Sequence, residues 1–544
     1  MKSHTLKVKE NNLILFTSFI LIAFYNTSLF ENFFVDYTLN LTNIIYSISV
    51  ALVLSSLLII ILSISCFKFT TKPVLILFFI TSSVTSYFMN SYNIIIDADM
   101  IRNAFETSKD EALDLVSIKL LAYIFIFGLT PSFIIYKMKI QNSSFNKSFI
   151  SKAKIISLSI VIITAQPLIF GKFYSSFIRE HKSIRYYANP IITLYSSIKF
   201  INQKFKNTSG KIMHLTHTSD IPESDIDREL VILVVGETAR ADRFSLNGYT
   251  KITNPLLTKE NVYSFNNVIS CGTSTAISVP CMFSSLNAND FDVAEARNTE
   301  NILDILKKVG VNILWRDNNS DSKGVALRVP FENFKTSEKN PNCDIECRDI
   351  GMLSGLPVYI ENHKAGDILI ILHQMGNHGP AYYKRYPPEF EKFTPACKTK
   401  QLEDCSLKEI NNAYDNAILY TDFFLSNVID FLKGYDNRFE TSMIYISDHG
   451  ESLGENGIFL HGLPNFMAPE SQKKIPVIFW FGNNFEDINL SSLKENQMTS
   501  YSHDNLFHTI LGIFEVDSNL YHKQKDMIDY TPLLRLSKKE TEFY

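Results

Sequence analysis

The chain has 544 residues, enough for two or three domains, and a formal net charge of −4 at pH 7. A nucleic-acid-binding surface needs an excess of Lys and Arg, so this charge balance argues against a nucleic-acid partner. The mean hydropathy of +0.03 hides an asymmetry, because apolar residues accumulate before about residue 172. We therefore expect a membrane part followed by a soluble part.

Five long uncharged runs occupy the first third of the chain. A bilayer core of about 30 Å is crossed by roughly 20 helical residues, with about 17 as the lower limit. All five runs reach that length: Leu13–Phe30, Tyr37–Phe67, Pro73–Ile96, Leu120–Tyr136 and Ile155–Gly171. The sequence predicts a five-helix transmembrane domain over residues 1–172, and the four later spans exclude a lone signal peptide.

The charges that flank these runs alternate in sign. Lysines precede the first run and follow the second and fourth: Lys2, Lys7, Lys9, Lys68, Lys72, Lys137, Lys139, Lys147, Lys152 and Lys154. The segments after the first and third runs are rich in Asp and Glu instead. Because cytoplasmic loops are enriched in Lys and Arg, the N-terminus is predicted to lie inside. Five spans then place everything after residue 172 outside the cytoplasm.

Further divisions follow the composition. Residues 97–119 form a long outward loop, 173–225 an aromatic and basic interfacial helix with a polar linker, and 226–544 the outer domain. Short apolar runs alternate with helical patterns in the outer domain: Leu230–Val235, Val311–Trp315, Asp367–Leu372, Ser442–Ile446 and Pro476–Phe481. This alternation predicts an α/β domain with a mainly parallel sheet.

Six of the seven cysteines lie in the outer domain, as expected of disulfides in an oxidising compartment. They form three close pairs, which favours the disulfides Cys271–Cys281, Cys343–Cys347 and Cys397–Cys405. The alternative is a Cys-rich metal site. It is less favoured, because there is no Cys-x-x-Cys pair and the candidate metal ligands lie elsewhere.

Acidic and imidazole side chains follow several predicted strands, where α/β sheets place their sites. Glu237 comes after the first strand, and Asp448 and His449 come after Ser442–Ile446. Carboxylate plus imidazole is a good ligand set for zinc, although each residue alone has a simpler interpretation as a helix cap or a surface side chain. Four histidines stand near glycines at predicted strand ends, and together they favour a functional site: His373, His378, His449 and His461.

The segment 270–276 (Ser-Cys-Gly-Thr-Ser-Thr-Ala) leads into a predicted helix start. A hydroxyl there lies in the positive field of the helix N-terminus, which favours an alkoxide nucleophile, and a bound zinc ion would favour it further. Ordinary N-capping is the alternative. The residues alone leave four hydroxyls open: Thr273, Ser274, Thr275 and Ser278. A polar loop with Asn319 and Lys323 is either a phosphate-binding loop or a solvated surface loop.

Together the motifs resemble those of the phosphoethanolamine transferases of Gram-negative bacteria, the lipid A-modifying type that includes the mobile colistin-resistance enzymes. The resemblance covers essentially the whole chain. It is carried by Gly-Glu-Thr-Ala-Arg at 236–240, Ser-Cys-Gly-Thr-Ser-Thr-Ala at 270–276, Asn-Asn-Ser-Asp-Ser-Lys at 318–323, His-Gly-Pro at 378–380 and Asp-His-Gly-Glu-Ser-Leu-Gly-Glu at 448–455. It implies an alkaline phosphatase/sulfatase-like outer domain.

The resemblance also assigns roles to residues. One catalytic zinc ion is expected on Glu237, Thr275, Asp448 and His449, with Thr275 as the residue that becomes phosphoethanolaminylated. Asn319, Lys323, His373, His378 and His461 are expected to bind the transferred group, with Lys323, His378 and His461 also taking part in catalysis. His378 and His461 are candidates for a second zinc site. In the outward loop, Asn103, Thr107 and Glu111 are spaced like the family's lipid-donor contacts, on one face of a helix.

The implied function is zinc-dependent transfer of phosphoethanolamine from phosphatidylethanolamine to lipid A through a phospho-threonine intermediate. The expected location is the inner membrane, with a monomeric chain and its catalytic domain in the periplasm. Polymyxin resistance would follow if lipid A is the acceptor. Lipopolysaccharide core sugar and surface protein are alternative acceptors.

Three other functions share some of these features. A phosphoglycerol transferase similar to lipoteichoic acid synthases shares the spans and a Thr nucleophile. A sulfatase or phosphatase is disfavoured, because Met282 stands where the Ser-x-Pro-x-Arg pattern starting at Ser278 needs Arg. A catalytically inactive membrane binding module is disfavoured by intact residues at every expected zinc position.

Overall fold

The computed structural model of the chain describes residues 7–107, 109–141, 144–181, 183–206, 212–216, 218–223, 225–485 and 487–530. These residues divide into two compact units. The first unit contains the chain up to Ile101 and then Val116–Asn202. The second contains the chain from Gln203 onward and also the short segment Arg102–Leu115. The predicted domain boundaries place that segment within the membrane domain, whereas it clusters with the second unit.

The first unit is helical. The helices from residue 10 to residue 206 are α1 (Glu10–Phe24), α2 (Thr27–Asp36), α3 (Leu41–Ser65), α4 (Thr71–Tyr92), α5 (Ala98–Glu106), α6 (Lys109–Leu115), α7 (Ile118–Lys137), α8 (Phe145–Ile169), α9 (Gly171–Glu180) and α10 (Ile191–Lys206). Of these, α6 lies within the segment Arg102–Leu115 of the second unit, and α5 runs into that segment. Within α7, residues Ile124–Leu129 form a π-helical turn. A two-residue parallel pair joins Lys7–Val8 to Lys139–Ile140.

Four helices among the described residues are long and apolar enough to cross a membrane: α3, α4, α7 and α8. Helices α1 and α2 meet that test only as a pair, and they are bent by 52°. Asn26 lies at the bend, between the two helices. Its buried side-chain amide donates to the carbonyls of Leu21 and Asn189 at 2.9 and 2.7 Å. The predicted first span is therefore two helices, and the predicted count of five is not confirmed.

The second unit is built on an eight-stranded sheet. Its strands are β1 (Glu229–Gly236), β2 (Tyr263–Ile269), β3 (Asn312–Asp317), β4 (Phe331–Asn333), β5 (Ile368–His373), β6 (Glu440–Ser447), β7 (Lys474–Phe481) and β8 (Tyr501–Ser502). They lie in the order β8-β2-β7-β6-β1-β5-β3-β4. The five strands predicted from apolar runs are all present. The sheet is mixed, because β7 runs antiparallel to β2 and β6 while the other pairs are parallel.

Side chains of β1 alternate between two apolar cores, one on each face of the sheet. Val231, Leu233 and Val235 pack into one core. Leu230, Ile232 and Val234 pack into the other. Both faces are buried, which explains why the strand reads as a continuous apolar run.

Helices cover both cores. They are α11 (Thr275–Met282), α12 (Val293–Ala296), α13 (Ile302–Lys308), α14 (Leu356–Asn362), α15 (Leu407–Lys433), α16 (Glu470–Lys473), α17 (Leu490–Asn496) and α18 (Leu506–Ile513). The longest, α15, begins with a capping box in which Ser406 and Glu409 satisfy each other's backbone N–H groups.

The three predicted disulfides are present, joining Cys271 to Cys281, Cys343 to Cys347 and Cys397 to Cys405. The first of them ties the loop after β2 to helix α11, which follows it. Strands β1, β2, β3, β5 and β6 all run in the same direction, so their carboxyl ends meet at one edge of the sheet. The candidate site lies at this edge.

Candidate active site

Three side chains that follow two neighbouring strands converge at the edge of the sheet. Glu237 comes directly after β1, and Asp448 and His449 come directly after β6. One ligand atom from each lies within 4.8 Å of the others, and all three side chains are fully buried. Among the described residues, this is the one group of three or more acidic, His or Cys side chains spaced to hold a metal ion.

Thr275, the first residue of α11, reaches this group. Its hydroxyl Oγ1 donates to Oε2 of Glu237 at 3.0 Å and lies 3.4 Å from Nε2 of His449. Two of the other three hydroxyls that the sequence left open have different partners. Thr273 donates to the carbonyl of Leu463, and Ser278 accepts from the backbone N–H of Gly272. The structure thus separates Thr275 from the hydroxyls around it.

The lone pairs of this cluster point at one another. Nδ1 of His449 lies 2.9 Å from the carbonyl of Gly450, so Nδ1 carries the proton and Nε2 presents a lone pair. That Nε2 lies 3.3 Å from Oδ2 of Asp448 and 3.6 Å from Oε1 of Glu237. Burial, and then the charge of Glu237, raises the pKa of Asp448 well above its usual range. Acceptors packed in this way fit a bound cation, and two oxygens with one nitrogen suit a divalent metal ion.

The loop after β3 brings Asn319 to the same cluster. The amide of Asn319 donates to Oε2 of Glu237 and to the carbonyl of Gln374, both at 2.7 Å. Lys323 is buried, and its ammonium donates to the carbonyls of Ser320 and Glu106 at 2.8 and 3.1 Å. The predicted polar loop is therefore a folded part of the site's wall, with one amide directly on a metal-ligand candidate.

Asp317 shapes that loop, and the sequence analysis missed it. Oδ1 of Asp317 accepts the backbone N–H groups of Asn319 and Asp321 at 3.0 and 3.2 Å. Its Oδ2 accepts from Trp315 at 3.0 Å and lies 2.8 Å from Nδ1 of His373. His373 is fully buried, and this contact places its Nδ1 against the loop. Its position in the sequence, an acid at the end of β3 directly before Asn318-Asn319, could have indicated Asp317 as part of the site.

His378 and His461 lie next to the cluster. Their ring centres are 5.6 Å apart, and the ring of His461 lies 4.3 Å from that of His449. Burial lowers the pKa of both His378 and His461 below the usual value. Neutral imidazoles beside the cluster can accept a proton or bind a metal ion.

Glu451 orients His461 and was also missed by the sequence analysis, although it lies within the motif 448–455. Its carboxylate is fully buried. Oε2 lies 2.7 Å from Nδ1 of His461, and Oε1 accepts from the hydroxyl of Tyr382 at 2.6 Å. Burial raises the pKa of Glu451 to about 8, so a proton is shared in the contact with Nδ1, which holds the ring of His461 in place with Nε2 on the other side.

The three outward-loop candidates are not on one continuous helix. Asn103 lies in α5, Thr107 follows that helix, and Glu111 lies in α6. Thr107 Oγ1 donates locally to the carbonyl of Asn103 at 2.6 Å. Glu111 instead contacts the rest of the second unit, at 3.0 Å from Nζ of Lys335 and 3.9 Å from Nε2 of His378. The structure therefore brings Glu111 next to the site through a separate helix.

Comparisons with known proteins agree with this architecture. Residues 54–205 match the family model described as phosphoethanolamine transferase EptA/EptB, and residues 229–516 match the sulfatase model. The chain is 41% identical over 508 residues to phosphatidylethanolamine transferase Mcr-2 of Escherichia coli, covering 91% of this chain and 93% of that protein. It is 36% identical over 535 residues to phosphoethanolamine transferase EptA of E. coli strain K12, covering 96% and 98%.

A solved structure extends the agreement to nearly the whole chain. The integral membrane protein lipooligosaccharide phosphoethanolamine transferase A (EptA) from Neisseria meningitidis matches with a TM-score of 0.92. Its sequence identity to this chain is 32%, and the match covers 96% of this chain and 99% of that one.

Membrane helices joined to a sulfatase-like domain define a class of membrane-bound enzymes whose catalytic domain lies outside the cytoplasm. Within that class, this chain belongs to the EptA/EptB family of phosphoethanolamine transferases. It is a phosphoethanolamine transferase of the inner membrane, with its sulfatase-like domain in the periplasm. The family, enzyme class and location predicted from the motifs are confirmed.

Proposed function

We propose that this enzyme transfers phosphoethanolamine from phosphatidylethanolamine to lipid A, using zinc and a phospho-threonine intermediate on Thr275. The observation that carries the proposal is the contact of the Thr275 hydroxyl with Glu237 and His449 inside one buried acid–imidazole cluster. The donor is the phospholipid in the name of the Mcr-2 relative. The names of two more distant relatives give Kdo(2)-lipid A as the acceptor.

Glu237, Thr275, Asp448 and His449 are the ligands that we assign to the zinc ion. When bound, the ion supplies positive charge that favours the Thr275 alkoxide and offsets the charge on a phosphate oxygen. Glu237 lies where it can accept the proton of Oγ1, because the two groups are already hydrogen-bonded at 3.0 Å. A second zinc ion would be held by His378 and His461, whose ring centres lie 5.6 Å apart with one ring edge-on to the other.

The reaction is written as two displacements at phosphorus. In the first, Oγ1 of Thr275 bonds to the phosphorus of phosphatidylethanolamine, and the bond to the diacylglycerol oxygen breaks. The leaving oxygen of diacylglycerol takes a proton from a histidine, His378 or His461, which has to be protonated when the donor binds. In the second, an oxygen of the acceptor phosphate gives its proton to that histidine and bonds to the phosphorus. The bond from phosphorus to Oγ1 of Thr275 breaks, and Oγ1 takes back the proton that Glu237 holds. Lys323 and Asn319 hold oxygens of the transferring group.

We assign Asn103, Thr107 and Glu111 to binding of the lipid donor. His373 is assigned to the site that binds the transferred phosphoethanolamine group. Glu111 has the strongest structural support of the three, since it lies 3.9 Å from His378.

We further propose that α1 and α2 form one bent span, which gives five spans with the N-terminus inside. The domain limits 1–172, 173–225 and 226–544, and a monomeric state, complete the proposal.

The acceptor is tested in cells. Lipid A is extracted from cells with the protein, without it, and with the Thr275→Ala variant, and is analysed by mass spectrometry. We expect a phosphoethanolamine increment on lipid A with the wild-type protein only. Modification confined to core sugar or to surface protein would contradict lipid A as the acceptor. A wild-type increment that persists in Thr275→Ala would contradict the role of Thr275.

A further inference from the structure

His503 is a buried histidine near the site that the mechanism above does not use. It begins a short turn directly after β8, where a capping box of Ser502 and Asn505 fixes the backbone. Strand β8 pairs in parallel with β2, and Ser502 is the partner of Ile269. This register sets the imidazole beside Cys271 in the loop that follows β2. The side chain is fully buried.

Both ring nitrogens of His503 contact backbone groups. Nδ1 accepts the N–H of Cys271 at 3.1 Å, and Nε2 lies 3.0 Å from the carbonyl of Ser447. An N–H can only donate and a carbonyl can only accept, so the ring is neutral with its proton on Nε2. Burial lowers the pKa of His503 to about 4, which agrees with a neutral ring.

The two segments that His503 joins lead into the nucleophile and the candidate metal ligands of the site. Cys271 stands four residues before Thr275, and Ser447 directly precedes Asp448 and His449. Their strands, β2 and β6, are not neighbours, because β7 lies between them. With strands spaced about 4.8 Å apart, the two strand ends are too far apart for direct backbone hydrogen bonds, whereas an imidazole with a hydrogen bond on each side can join them.

Besides the approach of the Thr275 hydroxyl to His449, the loop 270–275 makes several contacts with other parts of the chain. The disulfide ties Cys271 to Cys281 in α11, Asn465 donates to the carbonyl of Cys271 at 2.7 Å, and the N–H of Ser270 donates to Lys473 at 2.9 Å. These contacts hold the loop to its own helix and to the chain around the start of β7. The imidazole of His503 instead links the backbone of this loop to Ser447, the last residue of the strand that presents Asp448.

We propose that His503 is a positioning residue that sets the spacing between the Thr275 hydroxyl and the Asp448–His449 pair. This inference rests on the proposed role of Thr275 as nucleophile. The pairing of β7 with both β2 and β6 holds the two strands, so removing either hydrogen bond of His503 loosens the spacing only locally, between the loop and the end of β6. Because a misplacement of about 1 Å can cost about 100-fold in rate, we expect the loss to fall on kcat. His503 does not contact the assigned donor residues, so KM for the donor should stay within about threefold.

Three substitutions test the two hydrogen bonds of His503 separately and together. His503→Asn keeps a polar atom near the position of Nδ1, for the N–H of Cys271. His503→Gln keeps an amide N–H near the position of Nε2, for the carbonyl of Ser447. His503→Leu keeps neither. Measured with full-length enzyme at saturating zinc, kcat should fall about 100-fold in His503→Leu, and the better amide variant should restore about tenfold of that loss.

His508→Leu is the matched control. His508 is a second buried histidine, in α18, and its Nδ1 accepts the N–H of His522 at 3.3 Å. Burial lowers its pKa to about 4 as well. We expect His508→Leu to lower Tm comparably to His503→Leu, with kcat within about threefold of wild type.

The readouts are kcat and KM for transfer from phosphatidylethanolamine, Tm, and the rate of adduct formation on Thr275. A kcat in His503→Leu close to wild type, or losses in both Leu variants that simply follow Tm, would overturn the positioning role. So would amide variants as slow as His503→Leu. An absence of adduct in active wild-type enzyme counts against the covalent scheme instead, and the kcat values still decide the role of His503.

Discussion

The buried cluster around Thr275 and the segment Arg102–Leu115 reach the same site by different physical means. The ends of paired strands place Glu237 and Asp448, both without exposure to solvent. Ion pairs hold the segment instead, among them Glu106 with Arg297 at 2.6 Å and Glu111 with Lys335 at 3.0 Å. Strand register is insensitive to salt, whereas the partly exposed pair of Glu106 with Arg297 is weak and screened by salt. Changes in the cluster should therefore be large and salt-independent, and a change at this pair small and salt-dependent.

The largest effect is expected from removing a carboxylate of the cluster. Asp448→Asn should lower kcat by at least about 10³-fold, since it removes charge where the nucleophile and phosphate meet.

A chelator should lower Tm of the wild-type enzyme, because loss of the cation leaves two buried carboxylates side by side. The Tm of Asp448→Asn should respond much less. Thermal unfolding of the full-length enzyme with and without chelator measures both, and a wild-type Tm unaffected by chelator would count against the metal site.

Glu451→Gln should have the next largest effect. The substitution weakens the contact that holds the ring of His461 in place, and we expect kcat to fall about 10- to 100-fold with little change in KM. Glu455→Gln is the control, because Glu455 belongs to the same motif but is partly exposed and pairs with Arg240 at 2.6 Å. Steady-state kinetics compares the two. Equal losses in both variants would show that the motif acts through stability and not through His461.

A smaller effect is expected in the segment. Arg297→Ala removes the partner of Glu106, whose backbone carbonyl accepts from Lys323. A pair of this kind contributes about 0.2–1 kcal/mol, so KM for the donor should rise less than about fivefold, with kcat unchanged. The difference from wild type should vanish at high salt. A large loss of kcat that persists at high salt would place the segment with the cluster and remove the contrast between the two regions.

The smallest effect on transfer is expected at Asp422, away from the site. Burial raises the pKa of Asp422 to about 7, although its carboxylate accepts the N–H groups of Leu256 and Leu257. A raised folded pKa means that its stabilising contribution is complete below about pH 4 and is lost as pH rises through about 7. The Tm of Asp422→Asn relative to wild type should therefore increase across that window, with kcat unchanged. A constant difference in Tm would contradict the raised pKa.

Much of this fold follows from sequence patterns. The runs predicted as strands and the three cysteine pairs are confirmed, because buried strands and close pairs are local features. The antiparallel direction of β7 was not predicted, since an apolar run reads the same in either direction. The break between α1 and α2 at Asn26 was not predicted either. The side chain of Asn26 is hydrogen-bonded to the carbonyl of Asn189, and a contact so distant in sequence is not visible in the apolar run.

The candidate site divides in a similar way. Residues at strand ends, such as Glu237 and Asp448, were found because position in the chain implies position in the sheet. The choice of Thr275 among four hydroxyls came from the family resemblance, and the structure adds its contact with Glu237. Asp317 and His503 were missed, because they act through contacts with backbone or side chains that no local pattern reveals.

The central claim is that Thr275 carries the transferred group. Full-length enzyme is incubated with phosphatidylethanolamine in the absence of acceptor, digested and analysed by peptide mass spectrometry, with Thr273→Ala and Thr275→Ala in parallel. We predict a phosphoethanolamine adduct on Thr275 in wild-type enzyme and in Thr273→Ala, and none in Thr275→Ala. An unmodified Thr275 in enzyme that is active in transfer would contradict the account.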